Sequence, residues 1–193
     1  MNTSMEQATK SSEKNSVKGL CDPQFSHLQE AFAQNFERYH EIGAAIALVK
    51  DGELLVNLYG GYCDQNKAQP WQQSTRVNVW STTKGVTALC FAMLVDRGII
   101  RYDTRVSEYW DTFDVDGKRH ITVAMLLSHQ AGLCGFREPA MVSDFYDRNS
   151  AAERLAGMEP FWPPGEGSGY HPISVGILAS ELMVKLCGKS LQE

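Results

Sequence analysis

Between Asp22 and His40 the apolar residues Phe25, Leu28, Phe32 and Phe36 recur at spacings of three and four, which is the period of one helix face. Ala44 to Val49 and Leu54 to Tyr59 are short apolar runs joined by Asp51-Gly52, a pair that suits the positive φ angles of a tight hairpin turn. The polar stretch from Cys63 to Thr75 holds Pro70 and reads as a loop. The clearest helical pattern then runs from Ser81 to Arg97. It places Val86, Leu89, Cys90, Met93 and Leu94 on the face expected to be buried, with Gly98 positioned to end the helix. Further along, Asp103 to Trp110 reads as a turn with a short helical piece, and Ile121 to Ser128 as a short helix closing at His129 and Gly132. Ser143 to Ala156 predicts another helix, and Pro160 to Gly169 a Pro/Gly loop. A last helix runs over Ile173 to Leu186, with Pro172 at its first turn and Gly188 past its end. A helix laid on a hairpin, followed by a mostly helical region, is an α+β pattern, and no internal repeat or linker interrupts it.

Composition narrows what such a chain does. With 193 residues and 43% hydrophobic content there is enough apolar material for a real core. A formal net charge of −5, with no Lys/Arg stripe, argues against nucleic acid or an anionic membrane as partner. No apolar run approaches the roughly 18 residues of a membrane span. Residues 1 to 20 are mostly Ser, Thr, Asn, Glu and Lys and read as a disordered leader ahead of one domain from 21 to 193. They offer no apolar core for a secretory signal, and Glu6 and Glu13 without any arginine weaken a transit-peptide reading. The five cysteines, Cys21, Cys63, Cys90, Cys134 and Cys187, are odd in number, widely spaced and free of any CxxC pair. They point to reduced thiols and a cytoplasmic location, and give no reason to expect a metal or other cofactor.

The candidate chemistry sits at the head of the strongest helix. Ser81-Thr82-Thr83-Lys84 has the form S-x-x-K, and a spacing of three on a helix stacks the two side chains on one face, about 5 to 6 Å apart at Cβ. A serine hydroxyl is a weak nucleophile, and a neighbouring desolvated lysine amine can take its proton. The helix N-terminus favours the negative charge that develops there. Four residues alone fit equally well as a capping serine followed by a solvated lysine. Three other patterns carry no chemistry. Gly188-Lys189-Ser190 imitates a phosphate loop but has Met183 where that loop needs glycine. No G-x-S-x-G elbow is present, and Ser168 in the Gly165 to Gly169 stretch is followed by Gly169-Tyr170 in a context that does not supply one.

Wider context supports the catalytic reading of Ser81 and Lys84. The stretches GAAIALVKDGELLVNLYGGYCD, VWSTTKGVTALCFAMLVDRGIIRYDTRVSEYW, ITVAMLLSHQAGL and FWPPGEGSGYHPISVGILASELMVKLCGKSL occur in this order from Gly43 onward. Together they resemble the serine β-lactamases, penicillin-binding proteins and related esterases, in the branch nearest class C β-lactamases and carboxylesterases. The resemblance implies a β-lactamase/transpeptidase-like fold, an antiparallel sheet flanked by helices with a helical subdomain. It also implies Ser81 as nucleophile, Lys84 as activating partner and Tyr170, of Tyr170-His171-Pro172, as second base. A core tyrosine after a Pro/Gly turn is the structural alternative for Tyr170. Where β-lactamases carry an asparagine that helps hold the substrate amide, this chain has Pro172, which tilts the expected reaction from lactams toward esters.

His129 in LLSHQAGL and His171 both invite a base role, but a structural role is the better expectation for each once the tyrosine has that task. Trp110, Trp162 and Tyr109 are candidates to line an acyl or leaving-group pocket, with core packing as the alternative. The resemblance further implies a third motif (K-T-G, H-x-G or similar) on an inner strand, which would supply an oxyanion-hole donor beside the Ser81 N–H. It is not found before Glu193, so the chain reads as a fragment, a truncated isoform or an incomplete gene model. The resulting expectation is a serine hydrolase that forms an acyl-enzyme on Ser81. A small-molecule ester or amide is the expected partner, with a carboxylesterase first and a β-lactamase or D-alanyl peptidase second. A non-catalytic binding or assembly module built on the same fold is the competing class. Sequence says nothing of oligomeric state.

Overall fold

The computed structural model describes residues 17–193. The chain divides into two compact units, one ending at Asn78 and one running from Val79 to Glu193.

In the first unit, strand β1 (Lys18–Cys21) leads through a 3-10 turn at Pro23–Phe25 into helix α1 (Ser26–Arg38). Strands β2 (Gly43–Lys50) and β3 (Glu53–Gly61) follow. Asp22 opens the helical segment by accepting the Gln24 N–H on its carboxylate at 2.9 Å. Asp51 and Gly52 take φ of 52° and 82°, the doubly positive turn that their pairing predicted. The sheet order is β1-β3-β2 with both pairs antiparallel, and a bulge breaks the β2 register between Leu48 and Val49. Phe32 and Phe36 of α1 pack on Val56 and Leu58 of β3, so the predicted helix-on-hairpin core is present.

Strand β1 is a correction. The boundary of the leader read at residue 20 falls inside it, while residues 1–16 lie outside the described residues. Its four residues, Lys-Gly-Leu-Cys, are too few and too polar to show a strand period, and Leu20 stays 53% exposed. Backbone pairing with β3, register Lys18 to Tyr59 through Cys21 to Val56, makes the strand, and that leaves no side-chain pattern to read.

In the second unit a 3-10 turn at Trp80–Thr82 runs directly into helix α2 (Thr83–Asp96), so Ser81 sits in the tight turn ahead of the α-helix proper. Helix α3 (Val123–Leu127) is capped by Thr122, whose hydroxyl accepts the Met125 N–H. The helix predicted over 143 to 156 is two pieces, a 3-10 turn at Val142–Phe145 and helix α4 (Arg148–Gly157). Asp147 caps a fresh N-terminus there by accepting the Ser150 N–H, and that interrupts the run. Helix α5 (Ser174–Cys187) ends on Gly188 at φ 71° and buries Val175, Leu178, Ala179 and Leu182 at the centre of the core. Phe91, Trp110, Phe113, Ile121, Leu126, Leu133 and Leu155 close around it. Among the described residues no helix is long and apolar enough to cross a membrane.

Helix α2 departs from expectation in its orientation. It enters the core through Phe91 and Leu94, while Val86, Leu89 and Met93 of the expected inner face are 58%, 61% and 43% exposed. At about 100° per residue the buried stripe is turned by roughly a third of the circumference from the predicted one. The helix is apolar nearly all round, so spacing alone could not choose between two apolar faces. The structure predicts that Val86→Ser and Leu89→Ser change unfolding free energy by about 0.5 kcal/mol or less. Phe91→Ala should cost about 3 to 5 kcal/mol. Urea unfolding of the three variants, followed by circular dichroism, checks the assignment of faces.

Candidate active site

Ser81, Lys84 and Tyr170 come together within the second unit although Tyr170 lies 89 residues from Ser81. The turn at Trp80–Thr82 brings Ser81 to the head of α2, and Lys84, in the first turn of that helix, projects over the same face. Trp80 carries left-handed backbone, φ 47°, an uncommon conformation for a bulky residue and one that places the sharp bend immediately before Ser81. Lys84 Nζ donates to Ser81 Oγ at 3.1 Å and to the Pro172 carbonyl at 2.8 Å. Ser81 Oγ and Tyr170 Oη lie 2.5 Å apart, and the Lys84 ammonium stands 4.9 Å from the centre of the Tyr170 ring. The serine oxygen therefore has a cationic donor on one side and a phenol on the other.

Electrostatics follow from that arrangement. Tyr170 is held below the ordinary tyrosine range, first by its hydrogen bond to Ser81, then by hydrogen bonding to Lys84, with the lysine charge adding to both. Each favours phenolate over phenol, because an anionic oxygen is the better acceptor beside a hydroxyl and an ammonium. The side chain is 56% exposed, so a substrate can reach it.

Tyr170 is positioned by its neighbours. The Gly169 N–H donates to the His129 carbonyl at 3.1 Å, and the His171 N–H to His129 Nδ1 at 3.2 Å. A side chain at Gly169 would put its Cβ 2.6 Å from the Trp162 ring, so the close approach of that indole requires glycine. His171 is fully buried, accepts the Leu133 N–H on Nε2 at 3.0 Å and shares Nδ1 with the Gly169 carbonyl. Burial keeps both histidines below the ordinary imidazole value, and for His129 the charge of Lys84 adds to the effect.

Of the aromatic candidates, Trp110 is 2% exposed in the core and donates from Nε1 to Glu153, which fits the packing alternative. Trp162 packs edge-on against His171 with its indole N–H on the Gly167 carbonyl. Tyr109 stands 38% exposed at the end of a 3-10 turn. A cavity of about 430 Å³ between α2 and α5 has Thr83, Val86, Cys90 and Ile177 in its walls but none of Ser81, Lys84 or Tyr170. Sequence reasoning missed the Pro172 carbonyl as a lysine acceptor. The signal was available in Pro172 itself, which removes a backbone donor and leaves only a carbonyl there.

The family model described as Beta-lactamase matches residues 28–193. The chain belongs to the β-lactamase family. It is 38% identical over 176 residues to the "Esterase/beta-lactamase LipL" of Mycobacterium tuberculosis, a match covering 91% of this chain and 41% of that protein. It is 26% identical over 163 residues to "Esterase EstB" of Burkholderia gladioli, covering 75% and 41%. Among solved structures, a family VIII carboxylesterase superposes with a TM-score of 0.86 at 42% identity, covering 91% of this chain and 48% of the other. A penicillin-binding protein homologue from Caulobacter crescentus gives 0.87 at 39%, covering 91% and 47%. The fold is thus β-lactamase/transpeptidase-like, and this β-lactamase-family chain spans less than half the length of these relatives.

The geometry predicts that Tyr170 titrates below ordinary tyrosine, and that Ser81→Ala or Lys84→Met returns it upward. Phenolate absorbance in a pH series, taken as the difference between each protein and its Tyr170→Phe counterpart, measures this.

Proposed function

We propose that the chain carries the nucleophilic centre of a serine hydrolase acting on small carboxylic esters, with Ser81 as nucleophile, Tyr170 as its proton acceptor and Lys84 as the cation that favours the Tyr170 phenolate. The observation that carries this reading is the placement of Ser81 Oγ between Lys84 Nζ at 3.1 Å and Tyr170 Oη at 2.5 Å. In the acylation step Ser81 Oγ bonds to the substrate carbonyl carbon while its proton passes to the Tyr170 oxygen. Lys84 stabilises the phenolate before the step. The proton then moves to the departing alkoxide, and the acyl group stays on Ser81. Water attacks that acyl-enzyme with Tyr170 as base, releasing the acid and restoring the serine.

Esters are favoured over lactams on two grounds. Pro172 has no side-chain amide to hold a substrate amide, and its carbonyl is already the acceptor for Lys84. The relatives, an esterase/β-lactamase, an esterase and a family VIII carboxylesterase, fit the same class. The penicillin-binding protein homologue supports a second reading, acyl transfer from a β-lactam or a D-alanyl peptide to the same serine.

Hydrolysis of a chromogenic short-chain acyl ester, run beside a chromogenic cephalosporin, discriminates between these. The ester reading predicts turnover of the ester by the parent, none above background by Ser81→Ala, and a 10²- to 10⁴-fold lower acylation rate in Tyr170→Phe, roughly the worth of a general base. Cephalosporin turnover faster than ester turnover supports the second reading. No turnover of either substrate above background by the parent would leave a non-catalytic module, and equal turnover by the parent and Ser81→Ala would overturn Ser81 as nucleophile.

A further inference from the structure

Tyr170 is exposed and belongs to no helix or strand. The backbone on either side of it is tied down by hydrogen bonds to His129. We propose that His129 and His171 are positioning residues for Tyr170, a pair of neutral imidazoles in opposite tautomers that clamp the segment Gly169–His171 and so keep the tyrosine oxygen on the serine. The proposal rests on the catalytic reading of Tyr170 for its effect on rate, while the clamp itself stands on hydrogen-bond geometry.

The clamp is reciprocal. From the loop after α3, His129 offers its carbonyl to the Gly169 N–H and its Nδ1 to the His171 N–H, so the residues before and after Tyr170 both donate to one histidine. In return His171 places Nε2 where the Leu133 N–H donates to it, and Nδ1 meets the Gly169 carbonyl. An imidazole nitrogen that accepts a backbone N–H carries no proton. His129 is therefore protonated on Nε2, and His171 on Nδ1, from which it donates to Gly169. The rings close the arrangement: His129 meets the Tyr170 ring edge-on at 5.2 Å between centroids and lies 5.4 Å from His171. His129 reaches this place in left-handed backbone, φ 65°, a conformation that costs a non-glycine residue and persists only where surrounding contacts enforce it.

The charged and titratable groups facing the pair are Lys84 from α2, Tyr170, and each histidine for the other. Trp162, packed against His171, is neutral. Among the described residues neither imidazole is paired with a carboxylate that would favour its cation. Adding a proton to either ring turns an acceptor into a donor aimed at an N–H, which breaks the clamp on that side. Burial places both folded-state values below the ordinary 6.5, with the Lys84 charge adding to it for His129 and the neighbouring His129 for His171. The unfolded chain therefore takes up these protons first. Stability from the pair is complete above 6.5 and is lost as pH falls toward the folded-state values.

The test has two parts on the full chain. Long-range nitrogen-proton correlation spectra of the imidazoles should show Nε2–H for His129 and Nδ1–H for His171, both neutral at pH 7. Second, the rate of Ser81 labelling by a fluorophosphonate is followed against pH in the parent, His129→Ala, His129→Asn and His171→Gln. Asparagine tolerates left-handed backbone and keeps an acceptor near the Nδ1 position. His129→Ala should slow labelling by roughly ten- to hundredfold, the scale of a misplaced catalytic group. His129→Asn should recover most of that loss, and its profile should lack the acid limb that His129 contributes below pH 6.5. Labelling in His129→Ala as fast as in the parent, or tautomers opposite to those stated, overturns the proposal. Should His129→Ala fail to fold, the tautomers and the His129→Asn and His171→Gln profiles decide it. If even the parent resists labelling, the catalytic reading of Ser81 fails on its own. The clamp is then judged by the tautomers and by whether the shift of the Tyr170 ring carbon signals below pH 6.5 in the parent is smaller in His129→Asn, where only His171 of the pair still titrates.

Discussion

A line of three polar atoms, Lys84 Nζ to Ser81 Oγ to Tyr170 Oη, with contacts of 3.1 and 2.5 Å, is the constraint on which the candidate site of the second unit depends. Its two ends come from separate elements, the head of α2 and the loop before α5, and each needs its own support. On the α2 side the support is covalent and local: a 3-10 turn, one left-handed tryptophan and a helical spacing of three. On the loop side it is tertiary. Tyr170 depends on the loop around His129, which is fixed in turn by burial of Ala131 and Leu133 and by the Phe161 N–H donating to the Gly132 carbonyl. Lys84 joins the two sides a second time through the Pro172 carbonyl, so the site is cross-linked above and below the serine.

The parts of this arrangement that were legible in the sequence are those with a local cause. Ser81 and Lys84 could be paired from helical spacing, the Asp51-Gly52 turn from its φ requirement, and the end of α5 from Gly188, because in each case a few adjacent residues carry the physics. Tyr170 was reached only through the order of several separated motifs, since nothing near it in the chain reports a partner 89 residues away. Strand β1 left no trace because backbone pairing made it, and the helix over 143 to 156 broke at Asp147 because a strong capping residue outweighed a weak apolar period. His171 was read as a histidine without a base role, and the structure shows what it does instead: it is buried with both ring nitrogens engaged. The sequence did not show how closely it and His129 are linked, as that link runs through backbone N–H groups.

Helix α2 carries the clearest conflict between pattern and packing. Its two apolar faces differ in sequence by little, and the one bearing Val86, Leu89 and Met93 faces solvent in this chain while Phe91 and Leu94 hold the core. Ser81 is thus anchored from one side of its helix. The proposed role of Ser81 needs its oxygen held to within a few tenths of an ångström, and the hydrogen bonds to Lys84 and Tyr170 together with the Phe91 side of the helix support that placement.

The most direct measurement is the intact mass of the purified chain after exposure to a fluorophosphonate, with peptide mapping of the adduct and a Ser81→Ala control. A single adduct, mapped to the peptide holding Ser81 and absent from the control, is the predicted result, because in the proposed mechanism Lys84 and Tyr170 make that hydroxyl more nucleophilic than an ordinary serine. A folded parent chain that gains no mass, or an adduct that persists in Ser81→Ala, would contradict the account.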